Sequence, residues 1–283
     1  MTDFGIGRRG LTSAQRGIWF AQLLDPRSPA LNIGLYAEIF GNIDTAAFAV
    51  AMRRTVAEYD AYHLRFDGPD QAPWRYQEHP ADWPLPVVDL RAAADPQAAA
   101  LAWMHADLDQ PADLRSGNLF ATALLRVAND RWYWYHRCHH ILGDAYSGGL
   151  MLARVARHYT ALTDDWRFAD GQCRQAAVLD DADAAYRASE RFSADRDFWR
   201  QALAGRPAPA SLSGRPAPAV PPRHPLRAAV SVDAAPLRAR ARALGTSLSG
   251  LFIAAAATYV QRVTGSTDLV LGIPVNGRSG ADG

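Results

Sequence analysis

The segment from Trp132 to Ser147 constrains the fold most, because an aromatic run ends there in two adjacent histidines. Tryptophan and tyrosine dominate the run, and such residues favour a β-strand over residues 132–139. Asp144 follows His140 by four positions, and a helical pattern of apolar residues begins after Ser147. The segment therefore predicts a strand, a short loop and a helix. Proteins of the α/β class place much of their chemistry at such strand ends.

Helical and strand patterns alternate through the rest of the chain, and two helices have clear start signals. Thr12 and Gln15 form a capping-box pattern, and Asp44 stands at the start of a long helix with apolar periodicity. The other predicted helices cover Pro96–Leu108, Ala182–Leu203, Ala234–Leu244 and Ser247–Val263. The other predicted strands cover Leu31–Phe40, His63–Phe66, Trp74–Gln77, Leu119–Val127, Leu226–Val232 and Asp268–Val275.

A segment rich in proline, alanine and glycine separates two parts of the chain. Gly205–Ala210 is repeated as Gly214–Ala219. Such composition favours extended, semi-rigid conformations and is typical of a linker. We therefore predict a first domain over residues 1–204, a linker over 205–225 and the start of a second domain over 226–283. The last part holds a half-built sheet with no covering element, so we expect it to be truncated.

Charge, cysteine content and hydropathy limit the functional classes. A net charge of +1 gives no field that would favour nucleic acid or an anionic membrane. The two cysteines, Cys138 and Cys173, argue against a disulfide scaffold and favour a reducing cytosol. The N-terminus lacks an apolar signal core, and the most apolar window, Leu248–Val260, is shorter than the ~20 residues of a membrane span. We therefore expect a cytoplasmic protein that binds neither nucleic acid nor membranes.

Three interpretations of the histidine pair are open from the residues alone. On a strand, His136, Cys138 and His140 share one face, and His139 lies on the other. The first interpretation is structural, with one buried histidine in a satisfied hydrogen bond and one histidine on the surface. The second is a metal site on the shared face, although a closed zinc site needs a fourth ligand and Cys173 has no paired spacing. The third is acid–base chemistry by a histidine that ends the strand at a cleft.

His139–Ala145 resembles the HHxxxDG signature of condensation domains of nonribosomal peptide synthetases, which they share with chloramphenicol acetyltransferase-like acyltransferases. Leu11–Gln22 is similar to the opening SxAQxxxW motif of that family, and Gly272–Arg278 is similar to its GxPVxxR motif. Further similar segments are Glu58–Phe66, which matches weakly, Pro111–Leu114, Tyr186–Glu190 and Phe198–Trp199. The resemblance covers essentially the whole chain.

The resemblance implies an α/β fold, a two-layer sandwich with a mixed sheet, in which one acetyltransferase-like lobe is followed by the beginning of a second. It also implies an amide-forming acyltransferase whose active site lies in a tunnel between the lobes. A donor carrier protein would deliver an acyl thioester and an acceptor carrier protein an amine, each on a phosphopantetheine arm. Adenylation and carrier domains would be adjacent in the full protein. The domain itself would bind no cofactor directly.

The motif also implies roles for individual residues. His140, the second histidine, would point into the tunnel and accept a proton from the attacking amine or orient it. His139 would face away and support the loop. Asp144 would pair with Arg278 across the lobes as a structural contact, and no metal would take part.

Two small residues after the histidines concern the substrate channel. Ser147 falls on a motif serine and would line the site. Ala145 stands where the family usually has glycine. Its methyl group is compatible with a backbone that is not at positive φ, and it would narrow the channel for the donor.

Two other functions stay open. One is a stand-alone acyltransferase with a CoA or carrier donor, or an epimerising relative. The other is a non-catalytic module that recruits partner proteins, although both motif histidines are present here. The opening motif and Tyr186–Glu190 look most like synthetases of the siderophore type, whose donor is often an aryl or acyl acid. We expect the 283-residue fragment to be inactive alone, because it lacks most of the second lobe.

Overall fold

The structure is a computed structural model that describes residues 7–79, 83–115, 119–164, 176–205, 211–214 and 230–275. The chain divides into two compact units, Met1–Ala188 and Ser189–Gly283. Most of the predicted linker, residues 205–225, lies outside the described residues. The predicted domain boundaries at residues 204 and 226 therefore stay predictions.

The first unit contains seven strands and five helices among its described residues. The strands are β1 (Arg9–Gly10), β2 (Asn32–Phe40), β3 (Leu64–Asp67), β4 (Trp74–Gln77), β5 (Val87–Asp89), β6 (Phe120–Ala128) and β7 (Arg131–His139). The helices are α1 (Ser13–Leu24), α2 (Thr45–Glu58), α3 (Pro96–Leu108), α4 (Ala145–Thr163) and α5 (Ala176–Ala188), with a short 3₁₀ turn at Asp60–His63.

A four-stranded mixed sheet in the order β2-β7-β6-β5 forms the centre of this unit. The β2–β7 and β6–β7 pairs are antiparallel, whereas β5 runs parallel to β6. The second sheet has the order β1-β4-β3 and contains the predicted pair around Asp67 and Gly68. The mixed α/β architecture predicted from the sequence is thus confirmed, as are the positions of the strands and the hairpin predicted for residues 31–139, to within two residues.

Both faces of β7 are buried, which explains its continuous aromatic sequence. Trp132 and Trp134 point to a core built with α2 and α4, where Phe48 meets Trp134 edge to face with ring centroids 5.2 Å apart. Tyr133 and Tyr135 point to the opposite face, where residues of α3 cover them. The strand that carries the histidines is therefore fixed between two helical layers.

The second unit contains three helices among its described residues, α6 (Glu190–Ala202), α7 (Ala234–Ala243) and α8 (Leu248–Thr264). The predicted helix Ala182–Leu203 is divided into α5 and α6 because the Ser189 hydroxyl accepts from the Phe192 N–H at 3.3 Å and starts a new helix. The predicted strand Asp268–Val275 was wrong, since these residues form no ladder. A strand needs a hydrogen-bonding partner, and no other strand is present in the described part of this unit.

Across the ranges given above, no single helix is both long enough and apolar enough to cross a membrane.

Candidate active site

The loop after β7 is held by backbone hydrogen bonds on both sides. The His139 N–H donates to the Leu119 carbonyl at 2.7 Å, and the next N–H, that of His140, donates to the Leu31 carbonyl at 2.8 Å. The Leu142 N–H then turns back to the His139 carbonyl at 3.0 Å. The two histidines therefore sit at the point where strand pairing ends, and their side chains diverge.

His139 is the buried member of the pair, with 1% of its surface exposed. Its Nε2 atom lies 3.0 Å from Oε1 of Gln22, and its Nδ1 atom accepts from the Ile141 N–H at 3.2 Å. Burial, with smaller contributions from the charges of His140 and Arg137, lowers the pKa of His139 to about 4. The ring is thus neutral near pH 7 and is fully occupied in holding the loop.

His140 is the exposed member of the pair. Its Nδ1 atom lies 3.0 Å from the carbonyl oxygen of Gly143. A carbonyl oxygen only accepts, so Nδ1 carries the hydrogen in the neutral ring and Nε2 keeps its lone pair. This arrangement provides an accessible imidazole nitrogen that can accept a proton.

Asp144 is the N-cap of α4. Its Oδ1 atom accepts from the N–H and from the hydroxyl of Ser147, at 2.8 and 2.7 Å. The predicted partner, Arg278, lies outside the described residues, so the predicted ion pair stays a prediction. The capping contact also occupies the Ser147 hydroxyl, which sequence reasoning had assigned only to the substrate channel.

Two positions near the start of α4, Ala145 and Gly148, differ in whether they leave room for a side chain. Ala145 is the first helical residue, so its backbone is at negative φ and its methyl group causes no strain. Gly148 is buried, and a Cβ atom placed there would lie 2.7 Å from Cδ2 of Leu35. A side chain at position 148 would therefore require the Leu35 side chain or α4 to shift, a constraint that sequence reasoning did not find.

The structure does not bring the three candidate metal ligands together. His136 is buried, and its Nε2 atom lies 3.0 Å from the Tyr62 hydroxyl, while Cys138 packs in the same core. His140 lies beyond the strand end on the surface. No group of three histidine, cysteine or acidic side chains in the described part of the chain could hold a metal ion.

Two buried glutamines of α1, Gln15 and Gln22, complete the site. Gln15 forms the predicted capping box with Thr12, and its Nε2 atom also donates to the Ile141 carbonyl at 3.3 Å. Gln22 contacts His139 as described above. The two residues are seven positions apart, which places them on the same face of a helix. That spacing was the one available signal for Gln22.

The chain matches the family model described as "Condensation domain" over residues 7–283. It is 42% identical over 285 residues to an isonitrile lipopeptide synthase of Streptomyces coeruleorubidus, which covers 99% of this chain and 19% of that protein. It is also 33% identical over 275 residues to enterobactin synthase component F of Escherichia coli K12, with 93% of this chain and 21% of that protein covered. The chain thus spans about a fifth of the length of these relatives.

Solved structures agree with this match. The crystal structure of the starter condensation domain of rhizomide synthetase RzmA is 40% identical, with a TM-score of 0.77 over 97% of this chain and 63% of that chain. A double mutant of the same domain in complex with C8-CoA and Leu-SNAC gives a TM-score of 0.87 at 39% identity, over 98% of this chain and 63% of that chain. These domains have the chloramphenicol acetyltransferase-like fold that the sequence predicted. The chain belongs to the condensation-domain family of nonribosomal peptide synthetases.

Proposed function

We propose that this chain supplies the histidine loop of a condensation domain that forms an amide between a carrier-bound acyl thioester and a carrier-bound amine. The observation that carries the proposal is the pairing of an exposed His140 with a buried, neutral His139 at the end of β7. One ring is committed to the loop, and the other presents Nε2 to the surface.

The proposed step is nucleophilic attack by the amine on the thioester carbonyl. The carbon–nitrogen bond forms, the carbon–sulfur bond breaks, and the products are the amide and the carrier thiol. His140 Nε2 takes the proton that the amine loses and can return it to the departing thiolate. An α-amino group has a pKa of about 7.7–8.0, so a fraction of the attacking amine is unprotonated near pH 7, and transfer of its remaining proton to a positioned side chain contributes about 10²–10⁴-fold to a rate.

The donor in this proposal is an acyl or aryl acid rather than a growing peptide. Support comes from the names of similar proteins, which include an isonitrile lipopeptide synthase, an enterobactin synthase component and a starter condensation domain solved with C8-CoA. The named proteins include synthetases of siderophores and of other products. The siderophore type predicted from the sequence is therefore one case of the proposed acylation. A CoA thioester replaces the donor carrier in the alternative form.

Partners follow from the same chemistry. We propose that a donor carrier and an acceptor carrier dock with their phosphopantetheine arms, and that adenylation and carrier domains of the full-length protein load the acceptor. The domain itself contributes side chains and no bound cofactor. A free thiol at buried Cys138 is compatible with reaction in the reducing cytoplasm.

Reconstitution tests this proposal. The full-length protein would be supplied with an aminoacyl acceptor and, in separate reactions, with octanoyl-carrier, octanoyl-CoA or an aryl-carrier donor, and amide would be measured by mass spectrometry. Amide from a carrier donor supports the main proposal, and amide from CoA alone supports the alternative form. Carrier binding without amide from any donor would contradict both and favour a recruiting module.

A further inference from the structure

We propose that Gln22 is a positioning residue for this reaction: it fixes the tautomer of His139 and, through it, the backbone that aims His140. The inference rests on the proposed function, because it assigns a kinetic consequence to the loop. The tautomer of His139, which is the structural part of the inference, can be measured in a protein that forms no amide.

The orientation of the Gln22 amide is set by its own neighbours. Its Nε2 atom donates to the carbonyl oxygens of Asp25 at 3.0 Å and Ser28 at 3.2 Å. Both partners only accept, so the nitrogen must face them and Oε1 must face His139. Gln22 is 4% exposed, so the amide cannot exchange these partners for water without opening the site.

The protonation of His139 follows from the two atoms that meet its ring. Gln22 Oε1 is an acceptor, so His139 Nε2 carries a hydrogen and donates it across 3.0 Å. At the other side, the Ile141 N–H is a donor, so Nδ1 must be bare to accept it at 3.2 Å. The opposite tautomer would place two donors against each other at Ile141 and two acceptors against each other at Gln22. One tautomer is therefore selected at both ends.

The selected tautomer holds the peptide groups on either side of the Ile141 Cα. The Ile141 N–H is bound to His139, and its carbonyl oxygen accepts from Gln15 Nε2 at 3.3 Å. The Ile141 side chain is 2% exposed in a core with Trp19. The residue that follows His140 is thus anchored to α1 through its carbonyl, its side chain and, by way of His139, its N–H. Among the described residues the His140 ring has one hydrogen bond, to Gly143.

A buried glutamine can also act only as a stabilising polar contact, and two substitutions separate the roles. Gln22→Met keeps the length of the side chain and removes the acceptor and both donors. Gln22→Glu places carboxylate oxygens against the Asp25 and Ser28 carbonyls, which repel them. A protonated glutamate restores two of the hydrogen bonds of the amide. Its carbonyl oxygen accepts from His139, and its hydroxyl donates to the carbonyl oxygen of Asp25 or Ser28.

The matched control is Thr122→Val, at a buried residue of β6 that pairs with His136, three residues before the end of β7. The Thr122 hydroxyl donates to the Tyr135 carbonyl at 2.9 Å and accepts from Trp134 Nε1 at 3.0 Å. The control therefore removes buried hydrogen bonds of similar number without touching the histidine loop. It measures what a general loss of stability does to turnover.

The test compares amide formation by the full-length wild type and these variants from pH 6 to pH 8, together with ¹⁵N spectra of the imidazole nitrogens. We expect Gln22→Met to lower kcat by at least about tenfold with little change in KM, since a misplacement of about 1 Å can reduce a rate by about 10²-fold. We expect the ratio of Gln22→Glu to wild-type kcat to rise as the pH falls, and Thr122→Val to keep the wild-type kcat.

The spectra should give a protonated Nε2 and a bare Nδ1 for His139 in the wild type, and Gln22→Met should shift the Nε2 resonance because that nitrogen loses its acceptor. A protonated Nδ1 in the wild type would overturn the inference whether or not the protein forms an amide. Wild-type kcat in Gln22→Met, an equal loss in Thr122→Val, or a pH-independent ratio for Gln22→Glu would also overturn it. A wild type that forms no amide yet shows the expected tautomer would contradict the proposed function and leave the tautomer assignment supported.

Discussion

The Nδ1 atom of His140 lies 3.0 Å from the carbonyl oxygen of Gly143. This contact within one loop decides which nitrogen of the exposed ring can accept a proton, because the carbonyl can only accept a hydrogen bond. His139, one residue earlier, is held by Gln22 and Ile141 in the opposite tautomer, with its hydrogen on Nε2. The two adjacent histidines therefore have different roles, because the hydrogen-bond partners of each ring decide which of its nitrogens carries the hydrogen.

Asp144 and Ser147 give a prediction about stability that is independent of Arg278. Asp144→Ala removes the N-cap of α4 and should lower the free energy of unfolding by about 1 kcal/mol. Asp144→Asn keeps an acceptor for the Ser147 N–H and should retain most of that stability. Chemical denaturation of the variants measures both.

The same pair of variants tests the predicted ion pair with Arg278. If it forms, Asp144→Asn should reduce turnover although the cap is kept, and the reduction should disappear when Arg278 is replaced by methionine. Equal, independent effects of the two substitutions would count against that pairing.

Two neighbouring glycines of α4 should respond oppositely to the same change. Gly148→Ala puts a methyl group 2.7 Å from Leu35 Cδ2, and overpacking of this kind destabilises by about 1–3 kcal/mol. Gly149→Ala meets nothing within 4 Å and should stabilise by about 0.5–1 kcal/mol, because alanine favours a helix. Thermal unfolding of the two variants is the measurement, and shifts of the same sign would show that the Leu35 side chain moves aside for the added methyl group at little cost.

Two buried histidines predict a loss of stability in mild acid. Burial lowers the pKa of His136 to about 3 and that of His139 to about 4, against about 6.5 when the chain is unfolded. Below pH 6.5 the unfolded state binds protons that the folded state does not, so the free energy of unfolding falls until the pH reaches the folded values. Above pH 6.5 this contribution is complete and constant.

Denaturation curves between pH 7.5 and pH 4 measure the slope. His136→Gln, whose amide can accept from or donate to the Tyr62 hydroxyl, should reduce the slope of the unfolding free energy against pH by up to one bound proton. An unchanged slope in this variant would mean that His136 titrates normally in the folded protein.

Local signals in the sequence were sufficient for the start of the site. The capping box of Thr12 and Gln15, the cap at Asp44 and the aromatic strand before the histidines depend on neighbours within a few residues, and the structure confirms all three. The burial of His139 and the exposure of His140 do not follow from strand alternation, because both faces of β7 are buried and the strand ends at His139.

Distant contacts were not predictable in the same way. Gln22 and His139 are separated by 117 residues, and nothing near either residue indicates their pairing. The close approach of Gly148 to Leu35 likewise depends on how α4 meets the sheet. The incorrect strand at Asp268–Val275 has the same origin, because an apolar run becomes a strand only where a partner strand lies beside it.

The most direct test of the account is the rate of amide formation by His140→Ala in the full-length protein. His105→Ala is the matched control, since His105 is an exposed histidine of α3 outside the site. If His140 Nε2 takes the proton of the attacking amine, His140→Ala should lower kcat by about 10²–10⁴-fold while His105→Ala leaves it unchanged. A His140→Ala protein that is folded and forms the amide at the wild-type rate would contradict the account.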